Sequence, residues 1–131
     1  MTTATVQKVD GFAGLVGHVL TRVTVNTERD EVIFELADGR SFRLFHQYDC
    51  CESMHIEDIE GAIDENVLVD LVGEVVLAVE DSREATGDEA PDSGTWTFYR
   101  IGTVSGTVVM RWLGQSNGYY SEEVDFGEVG K

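Results

Sequence analysis

Hydrophobic and polar residues alternate along the first third of the chain, as they do in strands with one buried face. The residues that share a predicted face are Leu15, Val19, Val23 and Val25, then Val32, Phe34 and Leu36, then Phe42, Leu44 and His46. Asp38-Gly39, between the second and third stretches, is typical of a tight hairpin turn. The pattern therefore predicts three antiparallel strands in series.

The middle of the chain has a different spacing. Ile56 and Ile59 are three residues apart, and Asp64 is placed to cap a short helix that ends at Gly73. This spacing predicts a short helical insertion around residues 56–72. Residues 74–82 return to a strand pattern. We expect residues 83–94, which hold the only proline, to form an acidic mobile loop.

Two long alternating stretches follow, joined by a Val-Ser-Gly turn. In the first stretch, TWTFY, alternation predicts that Trp96 and Phe98 point inward, whereas Thr95, Thr97 and Tyr99 point outward. A β-rich core strand is the simplest interpretation of this pattern.

In the second stretch, one predicted face carries Val108, Met110 and Trp112. Asn117-Gly118 is a second hairpin signal. A final strand or extended arm is predicted from there to Phe126.

Together these patterns predict a single, mainly β (or α+β) domain over residues 1–131, with its core over residues 14–126. Six or seven antiparallel strands in hairpins would curl into a half-barrel or a small barrel, with the helical insertion around residues 56–72. The alternative is a strongly twisted sheet covered by the helical segment.

The net charge of −16 is concentrated in one third of the chain. Residues 49–92 hold 15 acidic residues and one basic residue, Arg83, whereas the flanking segments are close to neutral. Such a charge disfavours binding to nucleic acid or to an anionic membrane. The acidic segment is either a solvated face or a surface offered to a basic partner, such as a protein that normally holds DNA.

The chain lacks an apolar run of about 18 residues, the length of a membrane helix. Its N-terminal residues show no basic region followed by an apolar region, so no signal peptide is predicted. We therefore expect a cytoplasmic protein with reduced cysteines. The two cysteines are adjacent, and neighbours in sequence rarely bond to each other because the linking ring is strained.

Residues 46–55, HQYDCCESMH, form the densest cluster of metal-ligating side chains. The candidate zinc ligands are His46, Cys50, Cys51 and His55. In a straight strand the two histidines would face opposite sides, so a zinc site requires a tight turn within residues 47–51. The alternative is that Asp49 caps a turn and His46 is a hydrogen-bonded core or rim histidine.

Two other chemistries fit this cluster less well. A calcium-like site would use Asp49, Glu52, Glu57 and Asp58, but the segment lacks the glycine-bearing loop of a calcium motif. A thiolate nucleophile, Cys50 or Cys51 with a histidine base, is disfavoured because the surrounding negative charge stabilises the thiol.

A second cluster of polar and aromatic residues surrounds the sequence SNGYYSE. The candidate binding residues are Trp112, Ser116, Asn117, Tyr119, Tyr120 and Glu122. Successive tyrosines on an extended chain point to opposite faces, so one can complete the core while the other meets a ligand. This composition is typical of a small polar pocket or a protein-binding patch. A structural tyrosine corner is the alternative.

With HQYDCCE, TWTFYRI and SNGYYSE in this order, the chain resembles a family of small uncharacterised proteins found mainly in bacteriophage and some bacterial genomes. The resemblance covers about residues 14–126. It implies a phage setting, and hence the cytoplasm of an infected bacterium, but no activity.

The sequence therefore predicts a non-enzymatic interaction protein that presents an acidic surface and an aromatic patch to a host protein with a basic surface. Its partner would be a defence or nucleic-acid-handling protein, which it would inhibit. One alternative is a small-molecule or nucleotide-binding sponge. For a phosphorylated ligand it requires Arg40, Arg43, Arg100 or Arg111 to converge in one pocket, because the negative charge disfavours phosphate. The other is a metal-binding protein that uses residues 46–55. No cofactor is expected, apart from zinc in that last case.

Overall fold

The structure is a computed structural model that describes residues 11–48, 52–86, 93–116 and 122–129. These residues form two antiparallel sheets of seven and four strands, which do not close into a barrel. The prediction of a single, mainly β domain is confirmed. The predicted helical insertion is wrong for most of its length, because only Val69–Leu71 form a helical turn, of the 3₁₀ type.

The strands of the larger sheet are β1 (Val19–Val25), β2 (Val32–Leu36), β3 (Ser41–Phe45), β5 (Ile63–Asp64), β6 (Val67–Leu68), β7 (Glu74–Val75) and β11 (Asp125–Glu128). The strands of the smaller sheet are β4 (Ser53–Glu60), β8 (Ala78–Ala85), β9 (Ser93–Thr103) and β10 (Gly106–Ser116). The order in the larger sheet is β11-β3-β2-β1-β6-β5, with β7 also paired to β1, and the order in the smaller sheet is β4-β10-β9-β8.

The core lies between the two sheets. Its fully buried residues include Val23, Val25, Phe34 and Leu44 from the larger sheet and Ile101, Met110 and Trp112 from the smaller one. Phe12, in a 3₁₀ helix at Phe12–Leu15, contacts both sheets. Its ring centre lies 6.2 Å from that of Phe34 and 4.7 Å from that of Tyr99, both in edge-on geometry. This helix therefore fastens the two sheets together.

A β-bulge in β4 explains the spacing that suggested a helix. Glu57 is an extra residue, with no partner on β10 between Ile56 and Asp58. A bulge shifts the alternation of side chains by one residue. Ile56 and Ile59 therefore both reach the core side, although a regular strand would place them on opposite faces.

The alternation predicted for β9 is confirmed, but the predicted face is wrong. Thr97, Tyr99 and Ile101 are buried, whereas Trp96 and Phe98 lie half-buried on the outside of the sheet. The reason is the pairing with β10, whose buried residues stand opposite Thr97 and Tyr99. Because the face of β10 that carries Met110 and Trp112 packs against the larger sheet, the paired residues Tyr99 and Thr97 of β9 face the core as well.

Two predicted turns are confirmed. Gly39 adopts a φ of 93°, which favours glycine, and Asp38 accepts a 2.9 Å hydrogen bond from the backbone N–H of Arg40. Val104 and Ser105 connect β9 to β10. The predicted turn at Asn117-Gly118 and residues 87–92 of the predicted 83–94 loop lie outside the described residues. At its two ends the loop prediction is wrong, because residues 83–85 belong to β8 and residues 93–94 belong to β9.

Candidate functional site

His46 lies at the end of β3 with its side chain fully buried. Its Nδ1 is 2.7 Å from the backbone oxygen of Glu123, and its Nε2 is 3.2 Å from the Glu52 carboxylate, which is also fully buried. The ring of Tyr48 meets the imidazole edge-on at 4.9 Å. His46 thus joins the end of β3 to Glu52, just before β4, and to the C-terminal segment, 77 residues later in the chain.

The hydrogen bonds of His46 fix the position of one proton, on Nδ1. A carbonyl oxygen only accepts, so Nδ1 must donate to Glu123. Nε2 and the Glu52 carboxylate then need one further proton between them, held either by the imidazole or by the carboxyl group. The pair is neutral overall in both arrangements, which suits its burial.

The structure does not bring the two predicted histidine ligands together. Both nitrogens of His46 contact protein groups inside the fold. His55 instead lies about two-fifths exposed on β4, with Nε2 2.7 Å from Glu57. Cys50 and Cys51 lie outside the described residues.

Within the described ranges, no three His, Cys, Asp or Glu side chains are grouped to hold a metal ion. Of the calcium-like set, Glu52 is committed to His46 and Glu57 to His55. Asp58 stands on the solvent side of β4, and Asp49 lies outside the described residues.

Ser116 and Glu122, two of the predicted binding residues, are in contact. The Ser116 hydroxyl and the Thr95 hydroxyl each donate to the Glu122 carboxylate, the latter over 2.8 Å. Ser116 is itself buried. The hydroxyls therefore hold the returning C-terminal segment against β9 and β10.

Gly114 shows how closely that segment approaches β10. A Cβ at this position would lie 2.8 Å from the Met54 side chain and 2.9 Å from the backbone oxygen of Glu122. Only glycine leaves enough space for the chain to cross here.

The other predicted binding residues lie in different environments. Trp112 is fully buried in the core, so its ring meets the larger sheet rather than solvent. Asn117, Tyr119 and Tyr120 lie outside the described residues. The described part of this cluster packs the C-terminal segment, and its role in binding stays a prediction.

The solvent side of the smaller sheet combines apolar and charged groups. We call it the outer face, and it consists of His55, Glu57, Asp58 and Glu60 on β4, Val109, Arg111 and Leu113 on β10, Trp96, Phe98 and Arg100 on β9, and Glu80, Ser82 and Glu84 on β8. Apart from Glu57, the extra residue of the bulge, these residues pair across neighbouring strands, which places their side chains on the same side of the sheet.

An apolar strip runs along the middle of the outer face. It is formed by Trp96, Phe98, Val109 and Leu113, all partly exposed. The Arg111 guanidinium lies 4.6 Å from the centre of the Trp96 ring, a cation–π contact that holds the ring in place. The strip thus offers aromatic area that is already ordered.

Rows of carboxylates flank this strip on both sides. β4 contributes Glu57, Asp58 and Glu60, and β8 contributes Glu80 and Glu84. Two strands separate the rows, which corresponds to about 14 Å at normal strand spacing. A shallow hollow lies beside each row, and Phe98 and Val109 contribute to both hollows.

The four arginines of the sponge hypothesis lie in two different parts of the fold. Arg40 lies in the turn before β3 and Arg43 lies in β3, and they pair with Asp38 at 2.7 Å and Glu31 at 2.8 Å. Arg100 and Arg111 belong to the outer face of the smaller sheet. The four arginines therefore do not all converge in one pocket.

The comparison with protein families gives one match. A domain of unknown function, DUF7448, matches residues 13–126. The chain belongs to this family. No curated protein and no solved structure matches it. Among the residues that the structure describes, none of the helices has the length and hydrophobicity needed to cross a bilayer.

The sequence pattern alone does not predict the outer face, and the reason is physical. Alternation along TWTFY predicts Trp96 and Phe98 in the core, whereas the structure places them on the outside of the sheet. Glu57 and Asp58 gained a shared face only through the bulge in β4. The sequence signal for the outer face is charge, because Glu80, Glu84 and Arg100 stand at positions of β8 and β9 that alternate with positions on the core side of the sheet.

Proposed function

We propose that this protein acts by stoichiometric binding and that the outer face is its contact surface for a basic protein. One observation carries the proposal: an ordered apolar strip lies between two rows of carboxylates on one exposed sheet. Protein interfaces commonly combine an aromatic centre with a polar, charged rim.

The two parts of this surface would contribute differently. Trp96 and Phe98 would supply the buried contact area that slows dissociation. The carboxylates of β4 and β8 would attract a basic surface and speed association at low salt. Arg100 and Arg111, in the middle of the strip, would donate hydrogen bonds to carbonyl or carboxylate oxygens of the partner and so add selectivity.

The resemblance to phage proteins suggests the biological setting. In that setting the partner is a bacterial host protein with a basic surface, such as a defence protein or a nucleic-acid-handling enzyme. Occupation of its basic surface would inhibit it, because the same surface would otherwise contact nucleic acid.

Charge reversal on the outer face tests the proposal. The double variant E80K/E84K changes β8, and the matched control E28K/D64K makes the same change in net charge at exposed positions elsewhere. Each protein is used to capture partners from bacterial lysate over a range of salt concentrations. The wild type and the control should capture the same basic protein. The E80K/E84K variant should capture at least about tenfold less of that protein.

A further variant, F98A, tests the apolar strip. It should weaken capture of the same protein at every salt concentration, because its effect does not depend on charge. Equal capture by the wild type, E80K/E84K and F98A would show that the outer face is not the contact surface.

A further inference from the structure

We infer that the partner contacts this protein through an extended segment that pairs with the outer edge of β8 and carries basic side chains at every second position. The inference rests on the proposed function, since β8 forms one border of the outer face. It adds a mode of binding, in which backbone hydrogen bonds supply affinity and alternate side chains supply selectivity.

The backbone of β8 offers unpaired groups along this edge. Within the described residues, β8 pairs only with β9, in unbroken register from Ala78 to Ala85. The backbone N–H of Thr86 donates to Gly94 over 3.1 Å, which fixes the alternation of the ladder. In an antiparallel pair every second residue bonds to the partner strand. The N–H and C=O groups of Asp81 and Arg83 therefore point away from β9.

The opposite edge of the smaller sheet differs from β8. In β4, the backbone N–H of Ile56 donates to the oxygen of Arg29 over 2.6 Å, so the turn before β2 covers part of that edge. In the larger sheet, the terminal strand β5 has only two residues. β8 is therefore the longest edge in the described structure that lacks a backbone partner along its length.

The side chains of β8 determine which strand fits there. Glu80, Ser82 and Glu84 are exposed on the outer face, so a strand laid alongside would place its own alternate side chains next to two carboxylates. Opposite charges across neighbouring strands stabilise pairing, and like charges oppose it. A second copy of this chain would set Glu80 and Glu84 against the same residues, which disfavours it. A basic strand meets no such repulsion.

Charged edge strands are a common protection against unwanted pairing. On β8 this protection is selective, because Glu80 and Glu84 repel an acidic strand and favour lysine or arginine at alternate positions of the incoming strand. A partner segment of about eight residues would span the edge, or about 26 Å of extended chain.

Synthetic peptides provide a direct test on the full-length protein. The probe is a nine-residue peptide of alternating lysine and threonine, and the control replaces every threonine by proline. The control keeps all the charges but cannot form a regular ladder, because proline lacks an N–H group. The lysine–threonine peptide should bind about tenfold more tightly than the control, measured by fluorescence anisotropy.

Residue-resolved amide exchange gives a second readout on the wild-type protein. Binding of the lysine–threonine peptide should slow exchange at Asp81 and Arg83, whose N–H groups face the new strand. Exchange at Ser82 should change little, because its N–H already bonds to β9. This pattern does not depend on the folding of any variant.

The variants D81P and D81A separate the backbone from the side chain. Both remove the same carboxylate, but only proline removes the outward N–H, and an edge strand tolerates it. D81P should bind the lysine–threonine peptide about tenfold more weakly than D81A.

The outcomes distinguish this inference from the proposed function. If both peptides bind equally, exchange at Asp81 is unchanged and E80K/E84K still abolishes binding, the strand pairing is wrong and the outer face remains the contact surface. If E80K/E84K has no effect on peptides or on capture from lysate, both ideas fail. If the wild type self-associates through β8, a second copy is the occupant and the inference is overturned.

Discussion

Two histidine–glutamate pairs, both within residues 46–57, have opposite environments in this fold. His46 and Glu52 lie 3.2 Å apart with both side chains fully buried. His55 and Glu57 lie 2.7 Å apart with both side chains about two-fifths exposed. The shorter contact is the weaker one, because water competes for exposed charges and the side chains lose entropy when they are held together.

The pairs also differ in what they connect. His46 and Glu52 join the end of β3 to the chain before β4, and the bond to Glu123 adds the C-terminal segment. His55 and Glu57 connect only residues of β4, on the edge of the outer face. The same two residue types therefore connect distant parts of a fold when they are buried, and lie on a candidate binding surface when they are exposed.

The largest expected effect is that of His46→Ala. It removes both hydrogen bonds and leaves the Glu52 carboxylate and the Glu123 oxygen buried without this partner. Breaking a buried pair in this way costs about 3–5 kcal/mol in the free energy of unfolding. Urea denaturation measures it, and a loss below about 1 kcal/mol would show that the buried pair is not a structural tie.

Substitutions of Glu52 sharpen the comparison. In Glu52→Gln, the side-chain amide can donate to Nε2 of a neutral His46, so the hydrogen bond survives without a charge. We expect it to be less destabilising than Glu52→Ala by about 1–3 kcal/mol in the same urea experiment. Equal losses for the two variants would mean that the interaction requires an ionised carboxylate.

Burial also affects a titrating residue on the core side of the smaller sheet, Tyr99. Burial, reinforced by the nearby Asp81, raises the pKa of Tyr99 to about 12. An unfolded tyrosine has a pKa of about 10, so above that pH the unfolded state loses its proton first. Stability should therefore be complete below about pH 10 and fall as the pH rises towards 12, by on the order of 2 kcal/mol.

Tyr99→Phe is the matched variant for this effect. It keeps the ring that contacts Phe12 and removes the titrating group. Urea midpoints measured from neutral to alkaline pH should fall less steeply than those of the wild type. Parallel curves for the two proteins would assign the alkaline loss of stability to other groups.

The smallest expected effect is that of His55→Ala. Both members of this pair are exposed, so the free energy of unfolding should change by less than about 0.5 kcal/mol. A loss of stability close to that of His46→Ala would show that exposure does not determine how much each pair contributes to the free energy of unfolding.

Much of the fold was predictable from local pattern, and the exceptions have physical causes. The hairpin at Asp38-Gly39 and the buried face of β10 follow from turn chemistry and period-two alternation. The helix expected near Ile56 and Ile59 failed because a bulge imitates a helical spacing. The metal cluster could not be assessed from spacing alone, since the burial of His46 depends on a carbonyl that lies 77 residues later in the chain.

The sequence alone was enough to predict β1 to β3, β9, β10, two of the described turns and the overall negative charge, because these depend on neighbouring residues and on composition. Tertiary structure decided which side of each strand is buried. β9 carries large side chains on both faces, so only the docking of β10 against the larger sheet could turn Tyr99 inward and Phe98 outward. The same docking placed carboxylates from β4 and β8 on one surface, a proximity between distant segments that no local pattern encodes.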